Sequence, residues 1–177
     1  MRPRIVSPVI GAALIVVAVV VMFVATLAAN RIASTRSDEL ANDLIPLEEA
    51  LTDAEIGVLG VSAEARAYVA TADGRYRTRY EDRAEALRSS LGELEREADR
   101  TDFGLAVRAM SQATSAWSGP LDDAMALRRD GDQAGAEALL DTRILPERDR
   151  IVEEADALRA NVCSQIDDLR GEIRDVQ

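Results

Sequence analysis

Residues 40–68, "LANDLIPLEEALTDAEIGVLGVSAEARAY", decide the fold of this chain. Leu40, Leu44, Leu47, Leu51, Ala54, Val58, Val61, Ala65 and Tyr68 follow one another in alternating steps of four and three. A helix turns once every 3.6 residues, so this spacing gathers all nine on one face, as in a coiled-coil seam. Pro46 interrupts the seam and predicts a kink, because proline has no N–H to give the preceding turn.

The same spacing returns three times downstream. A second run holds Tyr76, Tyr80, Ala84, Leu87, Leu91, Leu94 and Ala98. A third holds Phe103, Val107, Met110, Thr114, Trp117, Leu121 and Ala124, with a kink predicted at Gly119-Pro120. The fourth begins with Ala136, Leu139 and Leu140, breaks at Pro146, and resumes from Ile151 through Leu158, Ile166 and Ile173 to Val176. Turn and cap signals separate the runs: Asp73-Gly74, then Thr101 or Asp102, then Gly131 followed by Asp132. No segment alternates with the two-residue period of a strand. The chain therefore reads as all-α, with helices at about 30–72, 75–100, 102–129 and 132–177. The first and fourth, about 64 and 68 Å at 1.5 Å per residue, outreach the inner two at about 40 Å. Short turns between them predict an up-down-up-down antiparallel four-helix bundle. Aromatic residues make up only 3 % of the chain, which suits an Ala- and Leu-rich bundle better than a β-sandwich core.

Ahead of the bundle, Val9 to Ala29 carries no charge and one polar residue, Thr26. At helical rise it spans about 30 Å, the hydrocarbon thickness of a bilayer. A cleaved signal peptide would have a shorter apolar core, so the run reads as an uncleaved transmembrane helix. Arg2 and Arg4 place residues 1–8 in the cytoplasm by the positive-inside rule, and residues 30–177 outside it. The fourth helix returns to where the first emerged and has no capping residue after Val176. The expectation is a sensor half cut before a second membrane span.

Composition excludes several function classes. From residue 31 onward 19 arginines face 32 acids, a charge of −13, which repels nucleic acid. There is no histidine and one cysteine, so the usual zinc and transition-metal ligand sets and the Ser/His or Cys/His catalytic sets cannot be assembled. No glycine-rich phosphate loop is present, and the expectation is a non-enzyme without cofactor or metal.

Residues 65–87, "ARAYVATADGRYRTRYEDRAEAL", and 117–140, "WSGPLDDAMALRRDGDQAGAEALL", resemble the two membrane-distal junctions of bacterial receptor sensor domains. The likeness is to the four-helix-bundle domain of methyl-accepting chemotaxis proteins and to CHASE-type helical sensors. It implies a homodimer in the bacterial inner membrane that binds a small anionic ligand or a periplasmic binding protein. It also implies chemotaxis or two-component-type signalling through a shift of the fourth helix. In the chemotaxis receptors, arginines on the first helix hold the carboxylates of amino-acid ligands. Arg66 is the residue here that matches, with a solvated or ion-paired surface arginine as the plainer reading. The competing reading of the whole chain is a single-span anchored helical scaffold or accessory protein of an envelope complex.

Other candidates come from the residues themselves. Arg75, Arg79 and Arg83 lie on one face of the second helix beside Tyr76 and Tyr80, a basic, aromatic-lined tip for an anion or a face balanced by Glu81, Asp82 and Glu85. Gly57 and Gly60 are one turn apart and imply a close helix contact, across a dimer or within the bundle. Trp117 sits on the apolar stripe as a core residue. Cys163, one step off its stripe, is a half-buried thiol or an intersubunit disulfide.

Overall fold

The computed structural model describes Met22, Ser34, Thr35, Ser37 and residues 40–176. Among these residues the chain is helical throughout, without strands, and folds as a helical bundle. The helices are α1 (Ile45–Thr71), α2 (Gly74–Ala98), α3 (Gly104–Arg129), α4 (Gln133–Leu139) and α5 (Leu145–Val176). A π-helical turn, Leu40–Leu44, leads into α1, and a second, Leu140–Ile144, joins α4 to α5. Helix, turn and helix (7, 5 and 32 residues) run end to end as one long fourth rod, against 25 residues in α2 and 26 in α3. The tail at 1–8 and the predicted span at 9–29 lie outside the described residues, except Met22. Among the described residues no helix is long and apolar enough to cross a membrane.

Both π turns stand just before a proline, Pro46 and Pro146. Proline in an α-helix strikes the carbonyl four residues back and leaves it without a donor. Widening that turn relieves the crowding: the Leu145 N–H bonds Leu140 O, five residues back. The breaks predicted at Pro46 and Pro146 are thus local changes of winding. Pro120 differs, since α3 runs unbroken through it.

Helices α1 and α2 run antiparallel, as do α3 and the fourth rod. Gly57 meets Leu87 and Gly60 meets Arg83, so residue numbers climb on α1 as they fall on α2. Trp117 reaches Ile144, while Met110 shares a small void with Ile151. α1 packs on α2 and α5, and α3 closes the other side against α2, α4 and α5. The seam residues of the opening stretch from Leu44 to Tyr68 are all buried, and Leu47, Leu94, Leu121 and Ile144 are wholly so. Each such side chain contributes about 1.5–3 kcal/mol by leaving water.

The turns differ from their sequence reading in detail. Ala72, not Gly74, takes the left-handed conformation, at φ 55°. Asp73 then caps α2 by accepting from the Arg75 N–H at 2.9 Å. Neither Thr101 nor Asp102 caps α3; Thr101 instead holds the turn, accepting from the Phe103 N–H and donating to Ala98 O. Gly131, at φ 93°, and the Asp132 cap stand as the spacing predicts.

Candidate functional site

The seam between α2 and α3 is incompletely filled. α2 presents Tyr80, Ala84, Leu87 and Leu91 to it, and α3 presents Thr114, Trp117 and Asp122. Alanine and threonine are too short to meet across a helix spacing of 8–10 Å. The result is a groove of about 290 Å³, floored by Val61 of α1. A second lobe of about 230 Å³ continues toward the α1–α2 turn, reaching Tyr68, Arg77 and Arg129, and shares Tyr80, Glu81 and Asp122 with the first.

Two of the hydroxyls along this wall are satisfied by their own helix. Thr114 donates to Met110 O at 2.9 Å, and Ser118 donates to Ser115 O at 2.8 Å. The phenol of Tyr80 donates to Asp122 Oδ1 at 2.7 Å. Burial, reinforced by that carboxylate, pushes the Tyr80 pKa well above its ordinary value, so the phenol stays a neutral donor.

The charges around the groove are nearly all matched. Arg77 pairs with Glu81 at 2.9 Å, Arg88 with Glu85, and Arg129 with Asp130 at 3.0 Å. Asp122, exposed at the rim, has no arginine within ion-pair distance among the described residues, and its one hydrogen bond there comes from the neutral phenol.

Trp117 connects the groove to the fourth rod. It is 2 % exposed, and its indole N–H donates to Ile144 O at 2.9 Å, at the end of the π turn. On its far side Trp117 lines a separate cleft of about 250 Å³ with Pro120, Arg143 and Glu147. The residue read as core is core, and it is also a wall between two openings.

The residues singled out in the sequence are not gathered at this groove. Arg66 is exposed on α1 and makes no ion pair among the described residues. It follows Glu64, which faces α2 through Arg83 at 3.2 Å, by two residues, or about 200° of helical rotation. Arg66 therefore points away from the α2 tip. At that tip Arg75 is held by Asp73 at 2.6 Å, and its guanidinium draws the Asp73 carboxyl down to about 2. Tyr76 is half-buried against the core, and Arg79 stacks over its ring at 5.6 Å. Glu55, which with Glu64 would oppose an anion near Arg66, is neutralised by Arg159 of α5 at 3.0 Å. The close contact implied by Gly57 and Gly60 is found within the chain, against α2. A Cβ at Gly57 would lie 2.9 Å from Leu87 Cδ1, and one at Gly60 2.6 Å from Arg83 Nη1. Cys163 is a half-buried free thiol.

Sequence reasoning passed over Asp122 and the hydroxyl run of α3. The signal was present in "SQATSAWS", residues 111–118, where serine and threonine stand beside a stripe that leucine would ordinarily fill. Comparison with protein-family models, with curated proteins and with solved structures returns no match.

Proposed function

We propose that the chain is the ligand-sensing, extracytoplasmic portion of a bacterial membrane receptor, anchored by residues 9–29 and acting as a homodimer. In this reading the first helix rises from the membrane, the fourth returns to it, and a ligand biases the arrangement of helices between them. The observation that carries it is the link from the α2–α3 groove through Trp117 to the π turn of the fourth rod. A π turn is a local departure from α winding, here set by Pro146, and such turns are frequent at functional sites. A molecule pressing on Trp117 acts on a hydrogen bond to that departure, and α5 runs 32 residues onward from it.

The outer face of α1 supports the dimer. Ile56 and Leu59 are 58 % and 43 % exposed, and with Ala63 and Ala70 they repeat the three-four spacing on the face opposite the core. Two copies packed along this stripe would bury it. Arg66 lies on the same stripe, which keeps an anion-binding role for it open to test at that interface.

The test is cross-linking of a Leu59→Cys variant in native membranes, with Cys163 replaced by serine. The sensing reading expects a disulfide dimer whose rate of formation changes when a ligand is added. Dimer formation insensitive to every ligand that binds the chain would replace it with the scaffold reading.

A further inference from the structure

We propose that the α2–α3 groove takes a small organic cation, its amine head on Asp122 and its apolar body against Leu87, Leu91 and Trp117. The proposal rests on the sensing role above and names the ligand class for it. It also departs from the anionic ligand suggested by the arginines, because of how charge is distributed in the folded chain. The arginines that border the groove are each matched by a carboxylate, so an anion entering it would have to displace an existing pair. Asp122 is the reverse case. It stands exposed at the rim of the groove, its one hydrogen bond among the described residues comes from a neutral phenol, and its second oxygen faces solvent, where an entering cation can reach it without displacing an ion pair. A carboxylate so placed favours a cation that can donate to it, and charge-assisted hydrogen bonds are roughly twice as strong as neutral ones.

The rest of the groove fits the remainder of such a molecule. The wall beyond Asp122 is aliphatic at Ala84, Leu87 and Leu91, and the indole of Trp117 adds an aromatic edge. Thr114 and Ser118 already donate to their own helix, so neither asks the ligand for an acceptor. About 290 Å³ lies at the lower end of the range for ligand pockets, which limits the body to a short alkyl or single-ring group.

The chain has one tryptophan, and it lines both this groove and the cleft beside Pro120, so its fluorescence reports binding and the Asp122 variant assigns that binding to the groove. The full chain would be titrated with n-hexylamine and with hexanoate, molecules alike in size and opposite in charge, alongside an Asp122→Asn variant. Asparagine keeps an acceptor for Tyr80, and circular dichroism checks that the variant is folded. The proposal expects a saturable emission change with the amine, none with the carboxylate, and roughly tenfold or greater weakening in Asp122→Asn. Equal responses to both molecules, or an unchanged variant, would overturn the cation assignment. No response to either would remove the groove as a site, leaving the sensing role to the cross-linking experiment. Saturable amine binding that leaves Leu59→Cys cross-linking unchanged would keep the site and discard the sensing role for it.

Discussion

Trp117 offers the sharpest test of how this bundle is held. Its ring is buried and its N–H reaches Ile144 O at 2.9 Å. Replacing it with phenylalanine removes both the hydrogen bond and part of the ring. The bond is worth about 1 kcal/mol net, the usual value for a buried neutral pair. The lost volume is about 40 Å³, which at about 24 cal/mol per Å³ of cavity adds about 1 kcal/mol, with transfer of the missing atoms adding up to about 1 more. The total is about 2–3 kcal/mol, which lowers the melting midpoint by roughly 4–12 °C in a domain of this size. Thermal unfolding of the full chain, followed by circular dichroism at 222 nm, measures it. A second variant separates the two causes: 3-benzothienylalanine at position 117 keeps the shape and lacks the N–H. It should lose about 1 kcal/mol, the hydrogen-bond share alone. If that variant is as stable as the parent, the indole bond does not hold the π turn, and the coupling from groove to fourth rod loses its basis.

Four further outcomes follow from the same geometry. Gly57→Val should destabilise by about 1–3 kcal/mol in denaturant unfolding, because Leu87 fills the space a side chain needs. Gly60→Ala meets only the flexible end of Arg83; a helix-propensity gain of up to about 1 kcal/mol is offset by strain on the Arg83–Glu64 pair, leaving it within about 1 kcal/mol of the parent. Equal losses from both substitutions would count against the close α1–α2 contact. Ser62 is 1 % exposed with an unpartnered hydroxyl, so Ser62→Ala should raise stability by about 1 kcal/mol; a loss of that size would show that the hydroxyl has a partner. Asp73 has its folded pKa lowered from 3.8 to about 2, so its contribution is complete above about pH 4 and is lost as pH falls through about 2. The acid limb of the melting curve should flatten in Asp73→Asn, and an unchanged limb would discount the Asp73–Arg75 cap.

Four helices, their turns and nearly all of the core were legible in the sequence. Three-four spacing is a property of the chain itself, and an apolar stripe on a helix is buried wherever the helix packs. The seam from Leu44 to Tyr68 could be named residue by residue for that reason. Proline was legible as a disturbance and not as a kind of disturbance. Whether a proline widens a helix, as at Leu140–Ile144, or stands within a continuous α-helix, as Pro120 does, depends on what surrounds the freed carbonyl.

The sequence by itself determined an all-helical bundle, an acidic body and a chain with no histidine and one cysteine. It also determined that Gly57 and Gly60 meet something closely, because two glycines one turn apart remove the bulk that keeps helices separate. Only the tertiary structure decided that α2 fills that gap. It alone matched Glu64 to Arg83 and Glu55 to Arg159, which took charge away from residues that looked available. The same packing set Asp122 opposite Tyr80, 42 residues away, and left a groove beside them. Periodicity fixes which face of a helix is buried. The partner of a charged side chain is fixed by distances between helices, and those exist only once the bundle has closed.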